Sequence, residues 1–248
     1  MARQRLGQHF LVRASVLERI ARAACGEFEP LVIEIGAGRG ALTQRLLARA
    51  ARVIAIELDS GLVEYLRRKF AGEPRVEIVC ADALGIGLDQ WGPAPVAGNL
   101  PYYAATPIIE RVLSGFRRAA FLVQKEVAER LTARPGGREY GYLSVQTWLY
   151  ADAEVLFEVK PGAFQPPPKV DSALVLFQPR HRAEEFSLPD PAAFLRFAGE
   201  CFRQKRKTIR NNLAPVYGPS VGAWPEAGLR AEQIPPEQLA AMYRRVVA

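Results

Sequence analysis

Histidine, cysteine and long apolar runs are scarce in this 248-residue chain, and each scarcity removes a class of function. The two histidines, His9 and His181, are too few and too far apart for an imidazole-rich zinc or iron centre, so no metal site is expected. The three cysteines, Cys25, Cys80 and Cys201, are odd in number, widely separated and in no C-x-x-C pair. They read as buried thiols of a reducing compartment, not as a disulfide frame or metal ligands. No stretch approaches the roughly eighteen apolar residues that would span a bilayer. Residues 1–11 also lack the apolar core of a secretory signal. No internal repeat or low-complexity tract is present. The expectation is a cytoplasmic protein with no membrane partner.

Apolar residues make up 49% and charged residues 24%, the proportions of an ordinary globular core and surface. The formal charge is +7 with a sequence pI near 9.5, so the surface attracts polyanions. On charge alone, nucleic acid, an acidic membrane surface and acidic proteins all stay open.

Short apolar runs alternate with amphipathic ones over the first two thirds. Strands are expected at Leu31–Ile35, Arg52–Glu57, Arg75–Cys80, Pro95–Asn99 and Ala119–Gln124. Helices are expected at Ser15–Cys25, Ala41–Ala50, Ser60–Phe70, Pro107–Leu113, Lys125–Arg134 and Tyr142–Tyr150. That rhythm predicts an α/β fold, a parallel sheet covered by helices on both faces. Two further strands, Glu154–Lys160 and Val170–Gln178, read as a hairpin at the sheet edge, joined through Pro161–Lys169. Beyond Pro179 the chain is helical and proline-punctuated, which sets domains at residues 1–180 and 181–248.

Two stretches carry the chemistry. The first is Glu34-Ile35-Gly36-Ala37-Gly38-Arg39-Gly40, between a strand and a helix. Its glycines let the backbone turn tightly and approach a ligand without a Cβ in the way. The run also fits G-x-G-x-x-A with Ala41 last, so a nicotinamide dinucleotide is a rival cofactor. Glu57, about twenty residues on at a strand end, can hold two ribose hydroxyls in either class. Two features favour S-adenosyl-L-methionine: Glu34 ahead of the turn, as in the E-x-G-x-G pattern of methyltransferases, and Asp82 after the third strand. Asp82 reads either as acceptor for an adenine amino group or as a cap. Arg52 and Asp59 nearby read as solvated charges.

The second stretch is Asn99-Leu100-Pro101-Tyr102, at the end of a short strand. The Asn99 oxygen and the Leu100 or Pro101 carbonyl can accept hydrogen bonds from an exocyclic NH2, while Tyr102 stacks on the ring. Alone, the four residues are equally a strand-ending turn; beside a nucleotide-binding turn they indicate methyl transfer to a nucleobase amine.

Taken in order, these motifs resemble the ribosomal RNA adenine dimethyltransferases, and most nearly the small-subunit enzymes linked to kasugamycin sensitivity. Gly7-Gln8-His9-Phe10-Leu11 is similar to that family's opening motif, and Tyr140–Val145, Phe164–Ser172 and Lys205–Leu213 to its second half. The resemblance implies a Rossmann-like class I methyltransferase with a mostly parallel seven-stranded sheet and a small C-terminal helical domain that binds RNA. It further implies that His9, Leu11, Gly36, Gly38, Glu57, Asp82 and Asn99 hold S-adenosyl-L-methionine. Asn99, Leu100, Pro101 and Tyr102 would hold the target, with Phe164 either a second stacking face or a hydrophobic plug. The implied reaction is N6,N6-dimethylation of two adjacent adenosines in the 3′-terminal hairpin loop of 16S rRNA. The implied substrate is a partly assembled small ribosomal subunit, and the protein a monomer. Two departures stand out: His9 where many relatives carry Asn, and the variant run Tyr103–Pro107.

The basic run Arg203, Lys205, Arg206, Lys207 and Arg210, with Arg3, Arg5, Arg117, Arg118, Lys125, Arg130, Arg134 and Arg138, suits phosphate contacts as a group. Singly, each is better explained as solvated surface. Three rivals remain: a large-subunit methyltransferase of the macrolide-resistance type, a non-catalytic RNA-binding factor on the same fold, and a nicotinamide-dependent dehydrogenase. The last lacks a catalytic proton donor.

Overall fold

A computed structural model describes residues 9–113 and 115–247; Arg3, Arg5, Gly7 and Gln8 lie outside the described residues. The first half runs β1 (Phe10–Leu11), α1 (Ala14–Cys25), β2 (Val32–Ile35), α2 (Ala41–Leu46), β3 (Val53–Glu57), α3 (Ser60–Lys69), β4 (Val76–Cys80) and β5 (Pro95–Asn99). It continues with α4 (Ala105–Leu113), β6 (Arg118–Gln124), α5 (Lys125–Thr132), α6 (Tyr142–Tyr150), β7 (Ala151–Val159), β8 (Phe164–Gln165) and β9 (Ser172–Pro179). Helices α7 (Arg182–Glu185), α8 (Pro191–Cys201), α9 (Ile209–Tyr217) and α10 (Pro236–Val247) complete it.

The chain divides into two compact units. One comprises the residues up to Ala128 with Ala153–Pro179, the other Glu129–Asp152 with Arg180 onward. The expected division at residue 180 therefore misses one feature: the segment containing α6 belongs with the second unit. Its apolar residues explain why, since Val145 and Leu149 share a buried cluster with Phe194, Phe197, Leu213 and Leu239. Chain order alone conceals that excursion.

The first unit is an α/β fold around a seven-stranded sheet of order β4-β3-β2-β5-β6-β9-β7. Strands β2, β3, β4, β5 and β6 run parallel, and β9 joins antiparallel to β6. Strands β2 and β3 are buried along their whole length, which is why they read as continuous apolar runs and not as alternating ones. Helix α1 turns Leu17, Ile20, Ala21 and Ala24 inward to a core shared with Val32, Leu46, Leu122 and Leu174. Strand β4 lies at the sheet edge, so Cys80 is exposed, unlike Cys25 and Cys201. The expectation that all three thiols are buried fails there.

In the second unit, Asp190 caps α8 by accepting the Ala193 N–H at 2.9 Å, with Pro191 in the first turn. The Tyr140 hydroxyl donates to the Ile234 carbonyl at 3.0 Å. Asn212 is buried, and its amide donates to the Cys201 carbonyl at 2.8 Å and the Gln204 carbonyl at 3.2 Å. The basic turn that follows α8 is thereby pinned from beneath. Among the described residues, no helix is long and apolar enough to cross a membrane.

Candidate functional site

The sheet order reverses direction between β2 and β5, and ligands bind such sheets in the crevice at the carboxyl ends flanking that point. A pocket partly open to solvent lies there, with a cavity volume of about 160 Å³. Gly36 and Gly38 follow β2, Glu57 ends β3, Asp82 follows β4, Asn99 ends β5, and Leu100, Pro101 and Tyr102 follow it; all of them line the pocket, with His9.

Two expected site residues are elsewhere. Leu11 and Phe164 face each other across the β1–β8 pair and are buried in the core cluster. The pleat accounts for this, because successive side chains leave a strand on opposite faces. Leu11 thus points inward while its neighbour Phe10 lines the pocket. Phe164 is buried in that cluster and is not among the residues that line the pocket.

The glycine turn is held from below. The Ile56 carbonyl accepts the N–H groups of Gly36 (2.9 Å) and Ala37 (3.2 Å), and the Ala37 carbonyl accepts that of Gly40 (2.8 Å). The Gly38 N–H donates to Glu57 Oε2 at 2.8 Å. A dinucleotide turn keeps such donors free for pyrophosphate. Here the Gly36, Ala37, Gly38 and Gly40 donors are spent within the protein, which counts against the dinucleotide rival. Glu57 Oε1 also accepts the Leu58 and Asp59 N–H groups, each at 2.9 Å. A carboxylate offers roughly four acceptor sites, so capacity remains for a ligand hydroxyl.

Asp82 caps the turn that follows β4 and keeps a second acceptor toward the pocket. Its Oδ1 accepts the Leu84 N–H at 2.9 Å, while Oδ2 has no partner among the described residues. Asp59 is not a solvated charge but the cap of α3, accepting from Gly61 at 2.8 Å and Leu62 at 3.1 Å. Arg52 pairs with Glu77. Glu34 lies beneath the pocket, accepting the Thr43 hydroxyl at 2.5 Å, and burial pushes its carboxyl up to about 8.

The target stretch is equally ordered. The Asn99 Nδ2 donates to the His9 carbonyl at 3.0 Å, which fixes the amide orientation and leaves Oδ1 as its free acceptor. The Leu100 N–H is tied to the Leu122 carbonyl at 3.1 Å, and the Pro101 carbonyl accepts the Ala104 N–H at 3.0 Å. The Leu100 carbonyl has no hydrogen-bond partner among the described residues, so it is the freer of the two carbonyls considered. The Tyr102 hydroxyl meets Ser172 Oγ at 3.0 Å, and its ring lies 5.6 Å from that of His9. His9 Nδ1 donates to the Pro166 carbonyl at 2.8 Å, joining the opening strand to the proline loop.

Sequence reasoning missed Phe10, Leu58, Tyr103 and Ile108, all on the pocket wall. Leu58 carries a usable signal: an apolar residue directly after the acidic strand end, half exposed at 50%. Phe10 carries none, since two-residue strands show no periodicity. Arg39 lies over the Phe10 ring at 4.4 Å.

The residues present fit S-adenosylmethionine. Glu57 and Asp82 offer acceptors for ribose hydroxyls and an amino group, Leu58, Ala83 and Ile108 give apolar walls, and four N–H groups of the turn are already engaged within the protein. With the mostly parallel seven-stranded sheet, this is a class I methyltransferase. The chain belongs to the ribosomal RNA adenine dimethylase family, whose model matches residues 1–246. It is 41% identical to the ribosomal RNA small subunit methyltransferase A of Acidobacterium capsulatum, over 97% of this chain and 89% of that protein. Identity to the same-named protein of Pseudomonas fluorescens is 41%, over 94% and 89%. Among solved structures it resembles a dimethyladenosine transferase from Plasmodium falciparum (TM-score 0.79, 26% identity, 96% and 98% covered). It also resembles the 23S rRNA methyltransferase ErmE (TM-score 0.73, 27% identity, 96% and 100% covered).

Proposed function

We propose that this protein is an S-adenosylmethionine-dependent enzyme that dimethylates the N6 amino groups of two adjacent adenosines in the 3′-terminal hairpin loop of small-subunit rRNA. The observation that carries the reading is the Asn99 amide, clamped on the His9 carbonyl with its oxygen unengaged, next in the chain to Leu100 on the same pocket wall. Two acceptors at a strand end match the two N–H groups of one exocyclic amine.

The adenine amine is a weak nucleophile because its lone pair is delocalised into the ring. Asn99 Oδ1 and the Leu100 carbonyl, each taking one N–H, draw the nitrogen toward a tetrahedral arrangement and free that lone pair. Tyr102 supports the base, its own ring held by Ser172 and His9. S-adenosylmethionine supplies an activated methyl group on a sulfonium sulfur. Glu57 and Asp82 fix the position of the donor from its ribose and adenine ends. The protein's contribution is positioning and fixed polar groups. A loop adenosine is already partly unstacked, which lowers the cost of extruding it into the pocket.

The reading places the protein in the cytoplasm as a monomer acting on a partly assembled small subunit. In the second unit, Arg206, Lys207 and Arg210 have no ion-pair partner among the described residues, which suits them to phosphate.

The test is methyl transfer to purified small and large subunits, followed by mass spectrometry of the rRNA nucleosides. Dimethyladenosine is expected in small-subunit RNA. Asn99→Ala should lower kcat by roughly a hundredfold, the scale of losing one preorganised polar partner, with cofactor affinity changed far less. Dimethyladenosine in large-subunit RNA alone, or in neither, overturns the reading.

A further inference from the structure

The turn after β5 carries two adjacent tyrosines with different surroundings. The Ala104 N–H closes the turn on the Pro101 carbonyl at 3.0 Å, so Tyr102 and Tyr103 take its two central positions. Tyr102 is tied down, its hydroxyl on Ser172 and its ring against His9. Tyr103 is 61% exposed, has no hydrogen bond among the described residues, and lines the same pocket. Burial of part of the side chain, then the charges of Asp82 and Glu57, push its phenol up. The ring thus shares the pocket wall with Glu57 and Asp82, while the Tyr102 hydroxyl is held on Ser172.

We propose that Tyr103 is a cofactor-binding residue, its ring covering the adenosyl group held between Glu57 and Asp82, while Tyr102 serves the target base. The inference rests on the reading of the pocket as an adenosyl site. It gives the exposed ring a partner of fitting chemistry, because a flat purine buries an aromatic face that water now covers. It also assigns a task to a residue in the stretch where this chain departs from its family's usual pattern. Both ligands are then gripped by consecutive residues of one turn. A shift of that turn on cofactor binding reaches Tyr102 directly.

The test is calorimetric binding of S-adenosylhomocysteine to the full chain, with cofactor and RNA kinetics alongside. Tyr103→Ala should raise Kd about tenfold, within the range for one ring stacked on one base. The KM for cofactor should rise in parallel, with kcat at saturating cofactor falling less than about threefold. Tyr103→Phe keeps the ring and should bind as wild type. Thermal unfolding at the wild-type temperature is expected of both variants, since the ring supports no core contact. Unchanged Kd in Tyr103→Ala overturns the inference, and so does a defect confined to the KM for RNA. Equal losses in Tyr103→Phe and Tyr103→Ala overturn it as well, because the hydroxyl and not the ring would then be the contact. Failure of the wild-type protein to bind S-adenosylhomocysteine removes the adenosyl reading of the pocket itself.

Discussion

Glu34 shows how one residue can matter to a site it does not touch. Its side chain is buried under the glycine turn, with the Thr43 hydroxyl as hydrogen-bond donor. Burial raises its carboxyl to about 8; the Thr43 bond opposes that shift and the nearby Glu57 charge adds to it. The folded state therefore holds a proton that the unfolded chain releases near 4.5. Between those values the folded state binds more protons, so this residue's contribution to stability falls as pH rises, and it levels off above about 8. The slope approaches the order of 1 kcal/mol per pH unit within the window. Glu34→Gln keeps an acceptor for Thr43 and has no proton to lose. Its denaturation midpoint relative to wild type should climb from pH 5 to pH 8. A constant difference across that range would show that Glu34 does not titrate in the fold. At this scale the acids were legible in part: Glu57, by its spacing from the glycine turn, and Asp82, by its place after the third strand, both stand on the pocket wall. Asp59 was misread because a capping side chain and a solvated one look identical in sequence.

Among the elements, the glycine turn and α3 are shaped for each other. Gly40 has a φ of +72°, and a Cβ built there would lie 2.7 Å from the Phe70 ring and 2.9 Å from Leu66. Lys69 adds hydrogen bonds to the Arg39 carbonyl at 2.9 Å and the Gly40 carbonyl at 3.2 Å. Gly40→Ala thus meets backbone strain and overpacking together, and should cost about 1–3 kcal/mol in urea denaturation. Cofactor affinity should fall with it, because the turn cannot shift without disturbing the Gly38 bond to Glu57. An unchanged midpoint would mean that α3 yields easily. The long elements were legible because they obey simple rules: β5 and α6 were expected at the residues where they occur. Helix α2 gives way to turns after Leu46, short of the expected Ala50, and the β1–β8 pair was not anticipated. Two-residue strands have no period to read, and their pairing joins residues more than 150 positions apart. That long-range pairing also sends Phe164 into the core, which no local pattern could reveal.

For the whole molecule, the net charge of +7 says little until paired cations are separated from unpaired ones. Arg117 is engaged with Glu29, Lys125 with Glu158, and Arg203 with Glu200. Lys205 donates to the Arg138 carbonyl at 2.7 Å, which brings two basic segments of the second unit together. Arg206 and Lys207 lie in the turn that Asn212 pins, exposed and without an ion-pair partner among the described residues. A fixed turn with uncommitted charge suits a phosphate backbone, since less side-chain and loop ordering remains for binding to impose. Phosphate binding releases counterions, so affinity for RNA should fall steeply with salt. Replacing Arg206 and Lys207 with Ala should weaken binding to the small subunit and flatten the plot of log affinity against log salt. The expected change is close to one unit of slope for each phosphate left without its cation, or about two for the pair. Arg203→Ala should change the slope less, because Glu200 already holds part of that charge. Binding across a potassium chloride series, with purified small subunits, is the measurement. Parallel plots for wild type and double variant would mean that this turn faces solvent in the complex, and that other cations carry the RNA.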